Sequence, residues 1–156
     1  KVQEATAEDL ENMIELNVTA FLRVARLSIP HLVKTQGHLI NLGSIAGQEV
    51  YEGGATYCGT KSFVHAVNKA FRIDVHGTGV RVTEIAPGAV ETEFSTVRFG
   101  GDTERAKTVY DGYEPLHAQD IADAIWYALS RPKHVNIQHM LVMPTAQASA
   151  TRVAKT

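Results

Sequence analysis

Three side chains in the middle of the chain have the types and spacing for proton transfer: Ser44, Tyr57 and Lys61, within the stretch HLINLGSIAGQEVYEGGATYCGTK that runs from His38 to Lys61. A helix opening near Ala55 puts Tyr57 and Lys61, four positions apart, on one face and one turn from each other. A phenol has an unperturbed pKa of about 10 and works as a base nearer neutrality only when a neighbouring cation stabilises its phenolate. Lys61 supplies that cation. Ser44 stands thirteen positions before Tyr57, so three groups able to donate, accept or hold a proton converge on one point.

The elements that must position them follow from periodicity and punctuation. Leu39, Ile40 and Leu42 form a short apolar run closed by Gly43 and Ser44, which predicts a buried strand over 38–43. Ser44 then lies at a strand's carboxyl end, where open α/β sheets receive their ligands. Upstream, Thr6-Ala7-Glu8-Asp9 reads as an N-cap with acids in the first turn. A long amphipathic helix follows, with Leu10, Met13, Ile14, Leu16, Phe21, Val24 and Leu32 at helical spacing and Pro30 kinking or shortening its end. Asn17 interrupts that apolar pattern: it is either a satisfied polar residue facing solvent or one that needs partners inside. Downstream, a helix from Ala55 to His76 ends at Gly77-Thr78-Gly79 and offers Phe63, Val64, Val67, Phe71 and Val75 to a sheet. The segment VRVTEIAPG reads as a β-branched strand stopped by Pro87 and Gly88.

From Ala89 to Ala118 the chain makes a polar excursion with a helical stretch over Thr103 to Tyr110, a length that is usually functional or mobile. A helix over Gln119 to Ser130, with Ile121, Ala122, Ile125, Trp126 and Leu129 inward, ends at Arg131-Pro132. A last strand over Val135 to Met143 alternates Val135, Ile137, His139, Leu141 and Met143. The tail PTAQASATRVAKT is either frayed or docked on a neighbouring subunit, and its composition favours fraying. Alternating strands and helices imply parallel strands with right-handed crossovers.

The 156 residues are 44% hydrophobic and 21% charged with a net charge of -2, enough for a real core and without the basic balance of a nucleic-acid partner. No apolar run approaches the roughly 18 residues of a membrane span. The opening KVQEATAEDLEN lacks the apolar part of a signal peptide, so a soluble, cytoplasmic protein is expected. Cys58, the single cysteine, excludes an internal disulfide and suits a small helix residue. No HxxxH or CxxC-type pair occurs among seven histidines and one cysteine, and no metal site is readable.

A serine-ended strand followed at this distance by Tyr-x-x-x-Lys resembles the active site of the short-chain dehydrogenase/reductases. Asn17, in Asn-Val-Thr-Ala, is similar to that family's catalytic asparagine segment, and Pro87-Gly88-Ala89-Val90-Glu91-Thr92 to its PGxVxT segment. The resemblance implies a Rossmann-like, doubly wound parallel α/β fold and hydride transfer between an alcohol and a nicotinamide. It makes Tyr57 the base and has Lys61 lower its pKa and bind the nicotinamide ribose. Ser44 hydrogen-bonds the substrate oxygen, and Asn17 holds a water linking Lys61 to solvent. Pro87, Gly88, Val90 and Thr92 contact the carboxamide, though for Thr92 a plain strand-ending turn stays open. The residues after Pro-Gly cover the substrate as a lid.

Gly43-Ser44-Ile45-Ala46-Gly47, Gly53-Gly54, Thr92-Glu93-Phe94-Ser95, Val97-Arg98-Phe99 and Val135-Asn136-Ile137 with Met143-Pro144 look like the NADP-dependent 3-hydroxy acid dehydrogenases, which oxidise serine, allo-threonine and related acids. That resemblance implies NADP, with NAD open, and a dimeric or tetrameric assembly. It makes Arg98 the candidate for a substrate carboxylate; a surface arginine paired with Glu93 or Asp102 is the alternative. The family's glycine-rich TGxxxGxG turn and NNAG segment do not occur, so residues 1–156 match the carboxyl-terminal portion of one Rossmann-like domain. The three strands with their helices are expected to be inactive alone. A non-catalytic assembly module, or a reductase of 3-oxoacyl thioesters or sugar nucleotides, are the other readings.

Overall fold

The computed structural model describes residues 1–94 and 101–156, the side chains of residues 105–107 excepted. Its sheet has three parallel strands, β1 (His38–Leu42), β2 (Arg81–Pro87) and β3 (His139–Val142), in the order β1-β2-β3. Successive residues of each strand point to opposite faces, so the register sorts the side chains into two layers. Leu39 pairs with Val82 on the face covered by α2 (Phe21–Thr35) and α3 (Ala55–Asp74), where Ala25, Phe71, Val75 and Val82 form one core cluster. Ile85 pairs with Met140 on the other face and packs with Ile121 and Ala124 of α5 (Ala118–Leu129). A Rossmann-like α/β layering results, as expected.

Helix α1 (Ala7–Ile14) starts at Thr6, whose hydroxyl accepts the Asp9 N–H at 3.1 Å. It runs into α2 through a π-helical turn, Glu15–Ala20, and does not continue as a uniform α-helix. Such turns absorb one extra residue and re-aim the side chains within them. Asn17 lies inside it. Ile14, Leu16 and Val24, part of the apolar pattern, are exposed, and Leu16 and Val24 line an open groove with Leu39 and Ile40 of β1. Pro30 sits within α2 without ending it, and Gln36, in the left-handed region at φ 50°, closes the helix.

Helix α3 ends two residues before the expected stop, and Gly77 and Gly79, both at positive φ, turn the chain into β2. A short α4 (Thr103–Thr108) lies in the excursion after β2, whose base is pinned by a bridge between Val90 and Leu116. In α5 the inward residues are Ile121, Ala124, Ile125 and Ala128, while Ala122, Trp126 and Leu129 face outward. Small alanines allow the helix to approach β2, and Ala128 is wholly buried while Trp126 is 69% exposed. The guanidinium of Arg81 reaches the far end of α5 and donates to the carbonyls of Ala128, Leu129, Arg131 and Val135, neutralising that helix's unpaired acceptors.

Strand β3 is shorter than the span expected over 135–143. Instead of backbone pairing, the side chain of Asn136 meets β2: the Val82 N–H donates to its Oδ1 at 2.9 Å and its Nδ2 donates to the Val82 carbonyl at 3.3 Å. The core residues of β3 are Met140 and Val142, between the alternating set the sequence suggested. The tail is not frayed. Gln147 is buried and bridged to Val153, the Ala150 N–H donates to Glu49, and the Thr156 N–H donates to the Gly112 carbonyl.

Candidate active site

All three strands are parallel, so their carboxyl ends open onto one edge. Leu42-Gly43-Ser44 leaves β1 there, Pro87-Gly88 leaves β2, and Met143-Pro144 leaves β3. Ser44 caps a 3-10 turn, Ile45–Gly47, accepting the Ala46 N–H at 3.1 Å. Its own hydroxyl proton is left over for a ligand oxygen.

Helix α3 begins at the same edge. Its first turns carry Tyr57 and Lys61, with the Lys61 Nζ 5.9 Å from the centroid of the Tyr57 ring. The ammonium donates to the Leu42 carbonyl at 3.1 Å, tying this helix to the end of β1. Burial pushes the Lys61 pKa below its usual value, and the Glu84 carboxylate opposes that shift by favouring the charged form.

Two further elements lock onto this turn of α3. The Ile45–Gly47 turn lies so close that a side chain at Gly47 would meet the Lys61 carbonyl, and the Ser62 hydroxyl donates to the Gly47 carbonyl at 3.2 Å. From the π-helical turn, Asn17 Nδ2 donates to Thr60 Oγ1 at 3.1 Å, and the Thr60 hydroxyl donates to the Tyr57 carbonyl at 2.9 Å. Asn17, Ser44, Tyr57 and Lys61 therefore belong to segments that meet on one helical turn. Thr60, buried between Asn17 and Tyr57, was not singled out from the sequence; its position beside Lys61 was the available signal.

The segment after β2 is held by its own chain. The Gly88 N–H donates to the Val142 carbonyl at 2.7 Å, the Ala89 N–H to Gln147 Oε1 at 2.8 Å, and Tyr110 donates to the Val90 carbonyl at 2.7 Å. Pro87, Gly88 and Val90 are thus fixed at the mouth of the site. Thr92 is exposed and accepts the Phe94 N–H at 3.3 Å, and the Phe94 ring lies 5.6 Å from that of Tyr57. Arg98 falls outside the described residues.

Local spacing also could not reveal what the fold gathers beneath the site. His65, Glu84 and His139, 19 and 55 residues apart along the chain, bring one nitrogen or oxygen each to within 4.8 Å of the others. No helix among the described residues is long and apolar enough to cross a membrane.

The sequence model of the short chain dehydrogenase family matches residues 1–100. Serine 3-dehydrogenase from Rhizobium radiobacter is 43% identical over 143 residues, covering 92% of this chain and 57% of that protein. The NADP-dependent 3-hydroxy acid dehydrogenase of Schizosaccharomyces pombe is 42% identical over 154 residues, covering 98% of this chain and 60% of that protein. Among solved structures, the closed form of a serine dehydrogenase complexed with NADP+ superposes with a TM-score of 0.93 at 40% identity, over 99% of this chain and 63% of that one. The chain spans about three-fifths of the length of the curated relatives it matches. With a parallel sheet whose carboxyl edge carries Ser44 and, on the next helix, Tyr57 and Lys61, this chain belongs to the short-chain dehydrogenase family.

Proposed function

We propose that the protein carrying this chain is an oxidoreductase that transfers a hydride between a nicotinamide cofactor, NADP by preference, and a small 3-hydroxy acid such as serine or allo-threonine. The observation that carries this reading is the Tyr57–Lys61 pair at the carboxyl edge of the sheet, with Lys61 partly desolvated and anchored on the Leu42 carbonyl. The relatives named serine 3-dehydrogenase and NADP-dependent 3-hydroxy acid dehydrogenase support the substrate and cofactor class.

The donor set suits a nicotinamide riboside. One of the three Lys61 N–H groups is taken by Leu42, which leaves two for ribose hydroxyls, and Tyr57 stands one turn away. Pro87, Gly88, Val90 and Thr92 border the place of the carboxamide. When bound, the cofactor supplies the hydride acceptor or donor. Tyr57 holds the proton at its phenol oxygen, taking it from the substrate hydroxyl in oxidation and returning it in reduction. Lys61 favours the phenolate through its charge. Ser44 donates to the substrate oxygen and orients it, and Asn17, through Thr60, steadies the turn that carries both catalytic groups. Arg98 is the proposed partner of the substrate carboxylate. Residues 1–156 form the carboxyl-terminal portion of the domain in this reading, and the working protein is a cytoplasmic dimer or tetramer.

The test is absorbance of the reduced nicotinamide with serine and 3-hydroxybutyrate-like acids, with NADP and with NAD, on the purified full-length protein and its Tyr57→Phe variant. Loss of the general base lowers turnover by roughly 10²–10⁴-fold, while cofactor binding is retained. Wild type that binds cofactor yet oxidises no hydroxy acid overturns the substrate class. Wild type that binds no cofactor leaves the fold as an assembly module.

A further inference from the structure

On the sheet face covered by α3, the register places Glu84 opposite Asn41 on one side and His139 on the other, so all three side chains rise into the same layer. Helix α3 adds His65 to this row. His65 Nδ1 lies 2.6 Å from Glu84 Oε2, and the rings of His65 and His139 stand edge to face with centroids 5.4 Å apart. The Glu84 side chain is 1% exposed, and its other oxygen, Oε1, has no hydrogen-bond partner. A carboxylate so placed is costly unless charge and hydrogen bonds compensate it. The Gln48 amide nitrogen donates to His139 Nε2 at 2.9 Å, so that nitrogen offers a lone pair, and the exposed Gln48 side chain has to swing aside for it to meet an ion.

We propose that His65, Glu84 and His139 form a binding site for one divalent transition-metal ion of the zinc type, bound by two imidazoles and one carboxylate. The donor atoms already lie within 4.8 Å of one another. Bonds of about 2.0–2.2 Å to a tetrahedral ion need donors about 3.3 Å apart, a closure of about 1.5 Å for the widest pair. The three ligands stand on α3, β2 and β3. The bound ion takes the place of the direct His65–Glu84 contact and ties the helix that carries Tyr57 to two strands. Nitrogen and oxygen donors of this kind take zinc and cobalt alike, so cobalt serves as the spectroscopic probe. The site does not depend on the proposed oxidoreductase activity.

The experiment uses the purified protein that carries these 156 residues, stripped with a chelator and titrated with Co2+ and then Zn2+. Visible absorption of a low-coordinate cobalt centre should saturate at one equivalent and be displaced by zinc, with a rise in thermal midpoint. His139→Gln and Glu84→Gln should each weaken binding at least tenfold and abolish the spectrum, whereas exposed His31→Gln should change neither. His139 lies at the start of β3, and circular dichroism checks that its variant keeps the fold. Failure to form a one-equivalent cobalt spectrum, or a spectrum unaltered in folded His139→Gln, overturns the site and leaves a buried ion pair. Because the readout is metal binding, either outcome stands apart from the hydroxy-acid assay.

Discussion

Thr60 carries two hydrogen bonds through one hydroxyl, accepting from Asn17 and donating to the Tyr57 carbonyl. Thr60→Val preserves shape and leaves the half-buried Asn17 amide without its acceptor, an omission that costs about 1–3 kcal/mol. The denaturant midpoint should fall accordingly, and Thr60→Ser should restore most of it. Turnover should fall further than stability explains, because Asn17 no longer braces the turn that presents Tyr57 and Lys61. Tyr57→Phe makes the opposite split: activity lost, midpoint nearly unchanged. Tyr57 and Lys61 were legible together because a four-residue spacing on a helix fixes their juxtaposition whatever the rest of the fold does. The trio His65, Glu84 and His139 was not, because only the pairing of Glu84 with His139 across β2 and β3 brings those positions together.

Among the elements, the strands and helices were read at nearly their observed places, since apolar runs and glycine or proline stops mark them strongly. Three departures have identifiable causes. The π-helical turn over Glu15–Ala20 has no breaker residue to announce it. Its trace is a polar Asn17 among apolar neighbours, a conflict that the turn resolves by aiming the amide at α3. In α5 the apolar pattern pointed to Trp126 and Leu129, but helix-to-sheet distance is set by the smallest residues, and Ala124 and Ala128 took the inner face. The amino end of β3 departs because an asparagine side chain carries the same donor and acceptor as a peptide group. Asn136→Ala removes both bonds to Val82 and should destabilise by about 1–3 kcal/mol, measured as a drop in thermal midpoint.

For the molecule as a whole, acid tolerance is set in part where β1 begins. His38 Nε2 lies 2.6 Å from Thr83 Oγ1, its Nδ1 is buried without a partner, and burial together with the Arg81 charge pushes its pKa from 6.5 down to about 4. The unfolded chain therefore binds more protons than the folded one between these values, and stability rises with pH across that window. The contribution is fully present above pH 6.5, lost progressively as pH falls, and gone below about 4. Unfolding midpoints at pH 7 and pH 4.5 should differ more for wild type than for His38→Gln. An equal difference would assign the acid sensitivity to other groups. The same sheet has a second long-range dependence, from its amino end to its carboxyl end. Slipping β3 by one residue would send Met140 and Val142 to the wrong layer, turn His139 away from Glu84, and displace Met143-Pro144 and Gln147 by about 3.3 Å. Gln147 receives the Ala89 N–H, so the mouth of the site would shift with it. The amide of Asn136 thus works as a vernier: one graduation read against Val82 aligns a rim that lies at the opposite edge of the sheet.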